Sequence, residues 1–92
     1  MSPSSEMAVE RRVTLPAGVD LHARPAGVLA RAAMGYAAEV TVVHGDRDAD
    51  AKSVLRLMAL GAEGGAVLIV RARGADAEEA AAGLTKLIET LS

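Results

Sequence analysis

From Glu10 onward apolar and polar residues alternate, with Val13 and Leu15 on one side and Arg12 and Thr14 on the other. That period of two predicts a strand, and Pro16-Ala17-Gly18 closes it. The spacing then becomes helical. Ala26, Leu29, Ala30 and Ala33 share one face of a helix that begins near Ala23, carries Pro25 in its first turn and stops at Gly35. Alternation returns over 39–44, with Val40 and Val42 on one face, and Gly45-Asp46 reads as a two-residue hairpin turn with Gly first. The short, charged stretch 47–50 suits a sheet edge. Ser53 is a preferred N-cap and opens a second, short helix to Leu60, which Gly61 closes before the turn Glu63-Gly64-Gly65. Residues 66–73 make the clearest strand, and apolar side chains on both of its faces place it centrally in a sheet. A turn at Gly74-Ala75-Asp76 follows, with Asp76 placed to cap a last helix whose stripe is Leu84, Leu87, Ile88 and Leu91, slightly weakened by Gly83. The order is βαββαβα, which predicts an α+β fold with helices gathered on one face of a mostly antiparallel sheet. Residues 1–8, Ser-rich with Pro3, read as a disordered tail, and 9–92 as one domain.

Composition narrows the chemistry. With 92 residues and 51% hydrophobic content, one modest core is expected, and Tyr36 is its sole aromatic. The chain has no cysteine, so disulfides, thiol catalysis and thiolate metal sites are excluded. A net charge of −2 argues against a nucleic-acid partner. The first residues lack the basic and apolar regions of a signal peptide, and no apolar run approaches the roughly 20 residues of a membrane span. A cytoplasmic monomer without cofactor is expected.

The informative stretch is Leu21-His22-Ala23-Arg24-Pro25-Ala26. It sets a histidine at the mouth of a helix with an arginine two residues on. The first N–H groups of a helix lack intrahelical partners, and the macrodipole adds positive charge there, so the place is built for an anion. Arg24 brings a fork that matches phosphate oxygens. A positive neighbourhood favours the uncharged ring, and a neutral imidazole attacks phosphorus with one nitrogen while the other carries the proton. No metal is required, because positioning and electrostatics dominate phosphoryl transfer. His44 fits no motif and is expected to be exposed; two histidines alone make no metal site.

This hexapeptide resembles the active-centre signature of the HPr family, the histidine phosphocarriers of the bacterial phosphoenolpyruvate-dependent phosphotransferase system. A second match is Ala51-Lys52-Ser53 followed by Leu57, Leu60 and Gly61, similar to that family's regulatory-serine helix. The resemblance runs over about residues 9–91 without gaps. It implies an open-faced β-sandwich, with a four-stranded antiparallel sheet covered on one face by three helices. It further implies that His22 accepts phosphate on Nδ1 from the phosphoenolpyruvate-protein phosphotransferase, that Arg24 steadies the group, and that a sugar-specific or regulatory acceptor protein receives it. The carrier would be an intermediate and not itself a catalyst. Ser53 keeps two readings, as a helix cap and as a target of a dedicated serine kinase.

The second helix is apolar nearly all round. Leu57 and Leu60 suit the core, which leaves Val54, Leu55 and Met58, with Gly27 and Val28 of the first helix, as an apolar docking patch. Arg24, Arg31 and Arg56 would rim it with positive charge for acidic partners. One departure stands out. The family usually has Gly two residues before the histidine, often a sign of positive φ, and here that residue is Asp20. Its carboxylate either faces the phosphoryl site and repels the group, or turns away, or caps the helix start. Two other functions compete: the carrier of a nitrogen-related regulatory branch, and a non-transferring regulatory binding protein controlled through Ser53.

Overall fold

A computed structural model describes residues 8–92. The tail expected over 1–8 lies, Ala8 apart, outside the described residues. The elements are β1 (Val9–Thr14), α1 (Ala23–Ala33), β2 (Glu39–His44), β3 (Arg47–Asp50), α2 (Val54–Ala59), β4 (Val67–Arg73) and α3 (Ala77–Glu89). They fall in the predicted βαββαβα order. The strands form one antiparallel sheet in the order β1-β4-β2-β3, so β4 is interior and β3 is an edge, as the pattern indicated.

Register explains the core. Val13 faces Leu68, Val70 faces Val42, Ala72 faces Val40 and Val42 faces Ala49 across the ladders. All of these side chains are buried, and they share one face of the sheet. The predicted helix stripes complete that layer: Ala26, Leu29, Ala30 and Ala33 from α1, Leu57 from α2, and Leu84 and Ile88 from α3 are all buried. α3 lies over β1 and β4, while α1 packs between α2 and α3. The opposite face carries Glu10, Arg12, Thr41, Asp48, Asp50 and Arg71 and is open. β4 is interior, as its apolar run indicated, yet it is buried on one face only. Leu68, Val70 and Ala72 are buried, but Ile69 is only half-buried and Val67 is 48% exposed, because no helix crosses to their side. Interior position in the ladder and burial on both faces are separate properties, and the apolar run in β4 reports only the first.

Two contacts that the sequence pattern does not show hold the helical layer. The Tyr36 ring crosses α3 at Gly83, where a Cβ would overlap its hydroxyl. Gly83 thus does more than weaken α3: it makes room for the chain's one aromatic ring. Asp76 occupies the N-cap position of α3 but makes no side-chain cap bond. Its carboxylate instead accepts the Ala37 N–H (2.9 Å) and the Ala38 N–H (2.8 Å), tying the start of α3 to the α1–β2 connection. The Ala37 amide, followed by that of Ala38, its own backbone and the charge of Lys52, holds the Asp76 carboxyl below the usual carboxylate range against partial desolvation. Lys52 adds a bond from Nζ to the Tyr36 carbonyl (2.9 Å) in the same connection.

Candidate functional site

His22 lies where the loop after β1 enters α1. That loop is pinned to the turn after α2 by three backbone bonds: Leu15 N–H to Ala66 O (2.9 Å), Gly65 N–H to Leu15 O (2.8 Å) and Leu21 N–H to Ala62 O (2.9 Å). Gly64 permits the close approach, since a Cβ there would stand 2.5 Å from the Gly18 nitrogen and 2.9 Å from that of Val19. The buried Leu21 and Pro25 flank an exposed His22 and an exposed Arg24. Anchored neighbours thus fix the backbone while leaving both functional side chains in solvent.

His22 is the N-cap residue, with extended φ −91° and ψ −163°, and its side chain makes no cap bond. Its carbonyl accepts the Ala26 N–H (2.9 Å). Pro25 has no N–H to offer. The amides of Ala23 and Arg24 therefore remain open at the positive end of an 11-residue helix with no acidic residue in its first turn. Arg24 has no carboxylate partner: the ion pairs among the described residues are Arg11–Glu78 and Arg71–Glu10. Two open amides, an exposed imidazole and an exposed arginine thus belong to one helix start, a combination that suits a phosphoryl group.

The corner opens into a shallow cavity of about 240 Å³ lined by Asp20, Leu21, His22, Met58, Gly61, Ala62 and Glu63, which joins His22 to the second helix. A larger one of about 350 Å³, bordered by Asp48, Asp50 and Arg71, lies over the open sheet and does not include His22. Val28, Leu55 and Met58 are 42%, 78% and 38% exposed, on two helices that pack together. Gly27 and Val54 are half-buried, and Arg31 and Arg56 are exposed. Ser53 caps α2 by accepting the Arg56 N–H at 3.2 Å. Among the described residues no cluster of three or more His, Cys, Asp or Glu could hold a metal, and no helix is long and apolar enough to cross a membrane.

The structure selects among the alternatives open for Asp20 and departs from the expectation for His44. Asp20 does not have positive φ, so nothing in its backbone demands Gly. Its Oδ1 accepts the Gly64 N–H at 2.9 Å, which directs the carboxylate to the 61–65 turn while Asp20 still borders the cavity beside His22. His44 is half-buried rather than exposed, and with Nδ1 carrying the proton it donates to the Leu60 carbonyl at 3.2 Å. Arg47 Nη1 donates to the neighbouring Ala59 carbonyl at 3.2 Å. The β2–β3 hairpin thus fills the last carbonyls of α2, a long-range contact for which local sequence carries no sign.

A model of the family described as the PTS HPr component phosphorylation site matches residues 9–90. The chain belongs to the HPr family. The phosphocarrier protein HPr of Haemophilus influenzae is 37% identical over 79 residues, 86% of this chain and 93% of that protein. A multiphosphoryl transfer protein of Xanthomonas campestris is 35% identical over 91 residues, 99% of this chain, but the chain spans only 11% of its length. Among solved structures, HPr-C-His from Thermoanaerobacter tengcongensis superposes with a TM-score of 0.84 at 33% identity, covering 89% of this chain and 92% of that one. HPr membership carries the phosphocarrier role in the phosphotransferase system, with phosphohistidine as its chemistry. The open-faced sandwich, with three helices on one face of four antiparallel strands, is the HPr architecture.

Proposed function

We propose that His22 is the phosphoryl-bearing residue of this HPr protein and that residues 9–92 act as one carrier domain. The observation that carries the reading is the exposed, unengaged His22 ring at a helix end whose Ala23 and Arg24 amides are open. With the proton on Nε2, the Nδ1 lone pair forms the new P–N bond as the bond from phosphorus to the donor breaks and its electron pair leaves with the donor. The PO₃ oxygens then meet the two amides at the helix start, and the exposed Arg24 side chain can swing onto them. The reverse sequence delivers the group to the acceptor. His22 is exposed beside a shallow cavity, so donor and acceptor can each dock on it and supply the rest of the reacting surface. The protein is therefore an intermediate between a phosphoenolpyruvate-charged donor enzyme and a sugar-specific or regulatory acceptor, working in the cytoplasm. Gly27, Val28, Val54, Leu55 and Met58 form the apolar contact, and Arg31 and Arg56 steer acidic partners.

Ser53 fits a regulatory role beside its structural one. A phosphate on its Oγ would replace the cap acceptor with a larger anion at the start of α2 and place negative charge within the arginine-rimmed patch, where it would oppose an acidic partner.

The test mixes the protein with phosphoenolpyruvate, Mg²⁺ and the donor enzyme and measures acid-labile, base-stable phosphate. Label on the wild type and none on His22→Ala is expected. Equal label on both would remove His22 from the assignment.

A further inference from the structure

The residue before the hexapeptide Leu21-His22-Ala23-Arg24-Pro25-Ala26 is Asp20, and its geometry gives it a task. Its carboxylate Oδ1 accepts the Gly64 N–H at 2.9 Å, a link between positions 44 residues apart. Its backbone carbonyl accepts the His22 N–H at 2.8 Å. Between these, the Leu21 N–H reaches Ala62 O at 2.9 Å. One residue therefore joins the turn after α2 to the backbone of His22, with its side chain pulling one way and its main chain holding the other. Glycine here could supply only the second bond.

The same carboxylate borders the cavity that His22 borders. An acid at that place would ordinarily oppose an incoming phosphoryl group. Binding Oδ1 to an amide orients the carboxylate toward the 61–65 turn, and the negative charge becomes part of a strap.

We infer that Asp20 is a positioning residue for phosphoryl transfer: through the Gly64 amide it fixes the loop that presents the His22 ring. This rests on His22 being the acceptor. Small displacements of a reacting group can cost up to about a hundredfold in rate, so loosening one of several anchors should cost less.

The experiment compares Asp20→Ala with Asp20→Asn. Asparagine keeps an Oδ1 acceptor without the charge. Phosphorylation by the donor enzyme is measured against carrier concentration, and amide exchange is followed by NMR without donor. For Asp20→Ala the maximal rate should fall about threefold to tenfold, with the half-saturating concentration changed less than about twofold. The Gly64 amide should exchange faster, while core amides of β4 stay protected. Asp20→Asn should restore both the rate and the Gly64 protection. The inference is overturned if Asp20→Ala leaves rate and Gly64 exchange unaltered. It is equally overturned if Asp20→Asn keeps Gly64 protected yet transfers as slowly as Asp20→Ala, since charge would then be the agent. A wild type that takes no phosphate would sink the carrier reading instead, and the exchange measurement would still report on the strap.

Discussion

Gly64 and Gly27 are both non-left-handed glycines, yet replacing each by alanine should move stability in opposite directions. At Gly64 an ideal Cβ meets three backbone atoms: Gly18 N at 2.5 Å, Val19 N at 2.9 Å and Pro16 O at 3.0 Å. Ordinary contact begins near 3.4 Å, so the closest of these is short by about 0.9 Å. Because the atoms are backbone, no rotamer change relieves the overlap. The loop must move, and it is held by the Leu15–Ala66, Gly65–Leu15 and Leu21–Ala62 bonds. Overpacking of this kind costs about 1–3 kcal/mol, and the alanine returns only about 0.4–1 kcal/mol through the unfolded chain. A net loss of about 1.3 kcal/mol is expected, a fall in Tm of about 5–10 °C for a domain of this size. At Gly27, in the interior of α1, an added Cβ meets nothing within 4 Å. Helix propensity alone then acts, and Gly27→Ala should gain about 0.5–1 kcal/mol. Urea titrations followed by far-ultraviolet circular dichroism measure both. If Gly64→Ala unfolds within about 0.5 kcal/mol of wild type, the close approach of the two loops, and with it the seat described for His22, is wrong.

Three further outcomes follow from the same geometry. Ser53→Ala removes the acceptor of the Arg56 N–H and should cost about 1 kcal/mol, read as a lower urea midpoint with an unchanged slope. Met58→Asp puts charge into the exposed patch and should slow phosphorylation by the donor while leaving the thermal midpoint within a few degrees; an unchanged rate would exclude the patch from donor contact. The Asp76 carboxyl titrates below the usual range because it accepts the Ala37 and Ala38 amides, so the stability it contributes is complete above its unfolded pKa and is lost as pH falls through the lower folded value, below about pH 4. Asp76→Asn keeps one of the two acceptors and removes the titration, so its stability starts lower but should decline less steeply over the same acid window; parallel curves would refute the assignment.

The parts of this molecule that were legible in its sequence are those set by local period and local chemistry. The stripe of α1 names its buried residues. That of α3 names Leu84 and Ile88 but misses Ala77, Ala80 and Ala81, and it includes the half-buried Leu87 and, beyond the helix end, Leu91. Ser53 names its helix, and Gly45 with φ +63° is the Gly-first turn of the β2–β3 hairpin. His22 and Arg24 are legible for the same reason, since both belong to one helix start. What stayed hidden depends on segments far apart in sequence. Asp76 looks like a cap and serves as an anchor for residues 37 and 38, because the α1–β2 connection happens to pass beside it. Asp20 reads equally well as repellent or cap until Gly64 is seen against the loop. Ile69 and Val67 look like core, and only the one-sided placement of the helices leaves them near solvent.

At six residues, α2 is too short to persist by helix propensity alone. Its shape is on loan from the hairpin, whose His44 and Arg47 grip its final carbonyls. Under the docking role proposed for α2, substitutions in that hairpin would surface as weakened recognition of partner proteins, a handle on affinity set apart from the His22 side chain.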